Sequence, residues 1–296
     1  MDVIRPVTIT ADKLVSSNVP ETDHPQWASA TVYAKGARCI REHRIWQSAQ
    51  DANAGHDPTA PGSESWWSEV GATNRFAMFD ARVGTQTRAH DEIKCTLRPG
   101  RINTLALLNI SASSVEVIMH SGSEIVYQRT ASMVDSEGGA SWYDYFYEPI
   151  RERQDVVFDD LPVMGSATLD VVISRPGGDV ACGLLSAGLS APLGRVLREA
   201  KISITDYSKV SDDGFGGLRL TRGEWAKRAE VRMIIPSREV DRIQSLIAEL
   251  RATPVVWVGA KNLYQSLVIY GKYDDFAIDI AYKTVSYCTL TIRGLI

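Results

Sequence analysis

Over most of the chain, apolar and polar residues alternate with a period of two, the pattern of strands that bury one face. In residues 114–120, Val115, Val117 and Met119 alternate with Glu116, Ile118 and His120. Similar runs predict strands at 102–109, 124–130, 155–158, 167–174 and 180–185. Ser111, Ala112 and Ser113 separate two of them, and Pro176, Gly177 and Gly178 break the later ones. Short strands at close intervals, with no long helical period among them, predict a β-sandwich or jelly-roll body over residues 73–198.

From residue 199 to 296 the pattern changes. Strands are expected at 201–205, 229–235, 255–258, 267–270, 276–282 and 287–292. Between the second and third, Val240, Ile243, Leu246, Ile247 and Leu250 recur at three-and-four spacing, which predicts a helix over 237–251 with one apolar stripe. Ser237 suits its N-cap, and Thr253-Pro254 stops it. This region reads as an α+β domain, a mostly antiparallel sheet with one helix against it. Residues 212–217 form a glycine-rich loop. At the other end, residues 1–23 read as an extended arm. Val7, Ile9, Leu14 and Val15 are its apolar positions, and Pro6 and Pro20 bracket them. Such an arm orders by packing on something else, either its own domain as a strand or a neighbouring subunit.

Residues 24–72 interrupt the alternation with aromatics. Trp27, Trp46, Trp66 and Trp67 are four of the chain's 7 tryptophans. Tyr33, Gly36 and a turn-rich run over 53–62 lie among them. A unit this small buries only a thin core and needs large side chains to gain apolar area. Three short strands are expected, at 31–33, 37–40 and 44–48, with turns at Gly36 and His43 and with Trp66-Trp67 closing the core. The expected class is therefore mainly β and multi-domain: arm 1–23, small module 24–72, β-sandwich 73–198 and α+β domain 199–296.

The module's residues resemble the small chitin- and cellulose-binding modules of carbohydrate-binding families five and twelve. Trp27 stands at the leading tryptophan, Tyr33 and Gly36 at the Tyr-x-x-Gly turn, Asn53 and Pro58 in the Asn…Pro loop, and Trp66 or Trp67 at the closing tryptophan. Trp46 stands where those modules usually have tyrosine. The acidic residue that usually follows the turn glycine is Ala37 here, and Ala49, Gln50 and Asp51 occupy the region of the family's stacking aromatics. The resemblance implies a three-stranded fold and a sugar-binding surface, with Trp46, Tyr33, Trp66 and Trp67 as candidate residues. Trp46 is the best placed as a flat platform for a pyranose ring.

Composition narrows the function. A net charge of −4 speaks against a general nucleic-acid surface. No apolar run approaches the ~20 residues of a membrane helix, and the first residues lack the apolar stretch of a secretory signal. Cys39, Cys95, Cys182 and Cys288 are far apart and read as buried reduced thiols. The acidic pairs Asp159-Asp160, Asp212-Asp213 and Asp274-Asp275 are adjacent in sequence, and neighbours on a strand point to opposite faces, so none makes a glycosidase pair. His24, His43 and His56 lack the spacing of a metal site, and Asp212-Asp213-Gly214 lacks the alternating ligands of a calcium loop. The expectation is a non-enzymatic protein with no cofactor and no metal.

The run Trp142, Tyr143, Asp144, Tyr145, Phe146, Tyr147 puts aromatics on both faces of a strand. Burial on two sides follows, either as a central sandwich strand or as a subunit interface formed by Trp142, Tyr143, Tyr145 and Tyr147; sugar stacking is the third reading. Continued by Glu148-Pro149, and with Asp206-Tyr207-Ser208 and the segment Thr253 to Gly259, this run resembles structural proteins of tailed bacteriophages. The resemblance implies a structural place in the virion, at the tail tip or baseplate; the rival readings are a secreted polysaccharide-binding or -degrading protein and a free-standing adhesin. Its partners would be other tail proteins, copies of itself and a host cell-surface glycan.

Overall fold

The computed structural model describes residues 1–135, 151–212, 217–259 and 265–295. The arm supplies β1 (Asp2–Pro6) and β2 (Leu14–Ser17), and the small module β3 (Arg38–Arg41), β4 (Arg44–Ser48) and β5 (Trp67–Ala72). In the body follow β6 (Thr87–Leu97), β7 (Thr104–Ser111), β8 (Ser114–Ser121), β9 (Glu124–Ser132), β10 (Val134–Asp135), β11 (Arg151–Glu152), β12 (Val156–Phe158) and the long β13 (Thr168–Pro192). The last region holds β14 (Arg195–Val196), β15 (Lys201–Asp206), β16 (Lys209–Asp212), β17 (Leu218–Thr221), β18 (Trp225–Pro236), the helix α1 (Val240–Glu249), β19 (Val255–Val258), β20 (Val268–Asp279) and β21 (Val285–Gly294). The chain is mainly β, with one clear helix, near its C-terminus, among the described residues.

The body is β-sandwich-like, and β13 organises it. Two expected strands are one element of 25 residues, because Pro176-Gly177-Gly178 does not end it. The register against β6 slips between Ser174 and Asp179, and Gly177 takes φ +72° there. This is a bulge that bends the strand. Before the bend β13 pairs with β8 and the end of β6; after it, with the start of β6, β7 and β1. Leu97, Leu105, Leu107, Val115, Val117 and Val171 fill the core at 0% exposure. β6 itself was not legible in the sequence. His90, Asp91 and Glu92 interrupt its alternation, and Asp91 sits at φ +65°.

β1 places the start of the arm on its own chain. It pairs antiparallel with β13 on one side, Asp2↔Pro192 to Pro6↔Gly188, and with β19 on the other, Asp2↔Val258 to Ile4↔Val256. Val3 and Ile4 are fully buried. Of the arm's other apolar residues, Val7, Ile9 and Leu14 pack with the body core of their own chain, while Val15 is 52% exposed. Gly188 lets the two backbones close up, since a Cβ there would come 2.0 Å from the Arg5 carbonyl oxygen. β1 thereby fuses body and C-terminal region into one sheet, ordered β12-β7-β13-β1-β19-β20-β21-β18-β14.

α1 covers one face of the C-terminal part. Its Ile243, Leu246 and Ile247, with Leu250 just beyond, pack with Met233, Ile235, Trp257 and Leu290. Ser237 does not cap it. A short 3₁₀ turn precedes the helix, and the Ser237 hydroxyl donates to the Tyr282 carbonyl at 2.9 Å instead. The two strands expected at 267–270 and 276–282 are the single β20, bulged between Tyr273 and Asp275.

Candidate functional site

The small module is built on a hairpin. β3 and β4 pair from Arg41↔Arg44 outward, and the two-residue turn Glu42-His43 takes φ +51° and +64°. Positive φ at both turn residues matches the twist of the flanking strands. The third strand is β5, following the turn-rich loop. Residues 31–33 are not a strand: Tyr33 forms one isolated bridge to Asn53. Asn53 is buried and holds the loop by donating to the Ser48 hydroxyl (3.0 Å) and the Trp66 carbonyl (3.3 Å).

The aromatics divide into two groups. Tyr33 (7% exposed) and Trp67 (2%) meet edge to face at 5.0 Å and form the core with Cys39. The Trp67 indole N–H donates to the His56 carbonyl at 2.8 Å. Rings buried to this extent support the fold and offer no face to a sugar. Trp27, Trp46 and Trp66 are half-buried around that core. Trp46 lies opposite Cys39 on the core side of the sheet, and its N–H donates to the Arg41 carbonyl at 3.2 Å. Trp66 stacks flat on His56 at 4.0 Å and 12°. The Arg41 guanidinium lies 5.0 Å over Trp27 and donates to Asp57 at 2.7 Å. Burial would raise the Asp57 carboxyl, but bonds from the Thr59 backbone and hydroxyl and from Arg41 outweigh it and hold Asp57 below its ordinary value. The sequence-predicted residues Trp46, Tyr33, Trp66 and Trp67 are thus brought into one cluster, of which Trp66 and Trp46 are only partly buried.

The hairpin tip docks the module on the body. His43 stacks on Phe76 at 4.2 Å, and its Nδ1 lies 3.0 Å from Glu21, which also accepts from the Thr73 hydroxyl at 2.8 Å. A cleft of about 270 Å³ lies at this seam, between Thr8–Ala11, His43 and Phe79. A second of about 270 Å³ lies where the body meets β18 and β20, beside the ion pair of Lys227 with Asp155.

The second group of functional candidates was missed in the sequence. β15 continues past a short irregular stretch into β16, and β17 into β18, so residues 201–212 and 218–230 form one antiparallel ribbon. β21 supports β18 only from Arg228 onward. The ribbon therefore projects from the sheet. At its root Ile202 and Ile204 lie opposite Ala229 and Lys227, and Asp206 opposite Trp225. At its tip Val210 faces Leu220. Ile204 is 66% exposed, Leu218 76% and Leu220 71%. Of the sixteen large apolar side chains exposed among the described residues, seven fall between Ile202 and Trp225. That concentration marks a face, since scattered exposed apolar residues are ordinary. Ile-Ser-Ile-Thr and Leu-Arg-Leu-Thr on either side of a glycine-rich turn carried the signal, a period-two hairpin.

Trp142, Tyr143, Tyr145 and Tyr147 lie outside the described residues. Among the described residues no group of three or more His, Cys, Asp or Glu could hold a metal ion, and no helix is long and apolar enough to cross a membrane. All four cysteines are buried and free, and burial pushes the Cys95 thiol up to about 12. No protein-family model matches the chain, and no curated protein matches it.

Proposed function

We propose that the chain is a non-enzymatic structural subunit of a phage tail tip or baseplate, that it assembles with copies of itself and with other tail proteins, and that its aromatic module meets a host-surface glycan. The observation that carries the reading is the projecting ribbon. Six of its large apolar side chains, Ile202, Ile204, Val210, Leu218, Leu220 and Trp225, are exposed on strands with nothing laid over them among the described residues. Stable assemblies cover such faces with apolar, aromatic-rich contacts. The phage assignment adds the resemblance of the 142–149, 206–208 and 253–259 segments. The glycan adds the resemblance of the module, in which Trp66 and Trp46 are half-exposed.

A mass-spectrometric inventory of purified particles tests this. The chain is expected in tails, in a fixed stoichiometric ratio to the other tail proteins. Its absence from particles, with the free chain binding insoluble chitin or cellulose as a monomer, would replace the subunit with a free adhesin.

A further inference from the structure

The sheet ends in an open edge at β15. β15 pairs with β18 alone, and among the described residues no strand lies along its other side. Proteins guard such edges with inward charges, proline or bulges. The middle of β15, Ile-Ser-Ile-Thr, has none of these. We infer that β15 pairs edge to edge with β15 of a second copy, antiparallel and centred on Ser203. The inference rests on the self-assembly part of the proposed function and names its contact.

The backbone phase supports this register. The Tyr207 N–H donates to the Glu224 carbonyl at 3.0 Å, across the same ladder in which Asp206 faces Trp225. Antiparallel pairs alternate between bonded and non-bonded. Thr205 and Ser203 therefore spend their backbone groups on β18, and Ile202 and Ile204 turn theirs outward. A two-fold axis at Ser203 places Ile202 against the second copy's Ile204. Both are outward-pointing residues, so each pair exchanges two hydrogen bonds, and the axis makes two such pairs. The side chains agree. Ile202 and Ile204 share a face of the strand, and the axis brings four isoleucines together on one side of the joined sheet. That face continues the apolar surface that starts at Ala229 beneath the core. The contact is isologous, as two-fold dimers require. Charge does not oppose it. Over residues 201–230 the six basic side chains, Lys201, Lys209, Arg219, Arg222, Lys227 and Arg228, nearly balance Asp206, Asp212, Asp213, Glu224 and Glu230. Two such ribbons meet without net repulsion. A different strand could fill the edge by augmentation, but the Ile-Ser-Ile pattern is symmetric about Ser203 and so complements itself.

The test uses the full chain. In this register Ser203 is a non-bonded pair on the axis, with Cα atoms about 4.5 Å apart, within the span a disulfide bridges. The four native cysteines are buried and do not compete. Ser203→Cys should form a disulfide-linked dimer under mild oxidation. Thr205→Cys should not, because its copy lies four residues further along, about 13 Å away. Ile204→Pro removes an outward N–H that no intramolecular bond uses. It should reduce the sedimenting mass from the assembled chain to one chain while far-UV circular dichroism is unchanged. If the wild type is oligomeric but Ser203→Cys cross-links no better than Thr205→Cys, or Ile204→Pro leaves the mass unchanged, this contact is wrong and self-assembly stands. If the wild type is a monomer at high concentration, both the contact and the self-assembly reading fall.

Discussion

The small module and the projecting ribbon are both short antiparallel structures joined by turn-rich loops, and they treat their apolar residues in opposite ways. The module folds a loop back over its sheet. Tyr33 and Trp67 close on each other at 5.0 Å, and Asn53 ties the loop down from a buried position. Among the described residues the ribbon has no such return, and Val210, Leu218 and Leu220 are exposed. An isolated two-stranded ribbon is marginal in water. The alternation of side chains is the same in both, and what differs is whether the chain supplies a cover. A region that supplies its own cover gains stability from it, and the proposed assembly would supply to the ribbon the cover that its own described residues do not.

The largest effect that could break this comparison is a truncation in each region. Trp67→Ala removes the centre of a thin core and should cost about 3–5 kcal/mol, with exchange protection lost at the Cys39 and Ile40 amides while protection at Val115 and Val117 in the body survives. Ile204→Ser, made at a position 66% exposed, should change the stability of the single chain by no more than about 0.5 kcal/mol and act on association only. Equal stability costs for the two substitutions would mean that the ribbon face is already covered within one chain.

What the sequence disclosed follows the same division. α1 and β8 were legible because their apolar residues keep an unbroken period and pack within the chain, and β19 because it is a continuous apolar run buried on both faces. β13 read as two strands because proline and glycine usually end a strand, whereas here they make a bend. β1 read as an arm of uncertain partner because pairing with residues 188–192 and 256–258 is set by the fold and by no local signal. The candidate site was legible as a cluster but not in its depth. A tryptophan at the motif position does not say which way its ring turns, and Trp67 turned in. The ribbon was missed for the opposite reason. Its alternation was visible as strand, and a strand is assumed to have a buried face unless neighbours are known.

A smaller effect separates the module's half-buried rings. Trp46 sits on the core side of its sheet with its N–H bonded to Arg41, so Trp46→Ala should loosen the module by about 2 kcal/mol. Trp66 holds mainly a stacked histidine, and Trp66→Ala should cost about 1 kcal/mol. Retention of the full chain on insoluble chitin, compared at a temperature where both variants are folded, tells the rings apart. Loss with Trp66→Ala and retention with Trp46→Ala would move the sugar platform from Trp46 to Trp66. The reverse would keep it at Trp46.

The smallest effect is a pH dependence confined to the module. Asp57 accepts from Arg41 at 2.7 Å and from the Thr59 hydroxyl and backbone at 2.8 and 3.0 Å. These bonds outweigh burial and hold its carboxyl below the ordinary value. A carboxyl with a lowered folded pKa binds its proton more weakly in the folded state. Its contribution is complete above the unfolded value of ~3.9 and is lost as the pH falls below that, through the folded value. Because the side chain of Asp57 is 26% exposed and that of Arg41 40%, solvent screens the pair, and the loss should be roughly 0.5–1 kcal/mol. The Arg41 guanidinium lies over Trp27, so protonation frees it to leave the ring. Four of the chain's 7 tryptophans are in the module, and their fluorescence should shift in this acid range while the exchange protection of the body holds. Asp57→Asn should remove the transition and carry its cost at neutral pH instead. A transition that persists unchanged in the Asn variant belongs to another carboxyl, and the loop is then held by Asn53 and by Ser63, whose hydroxyl donates to the Pro58 carbonyl at 2.7 Å, without help from the Arg41 pair.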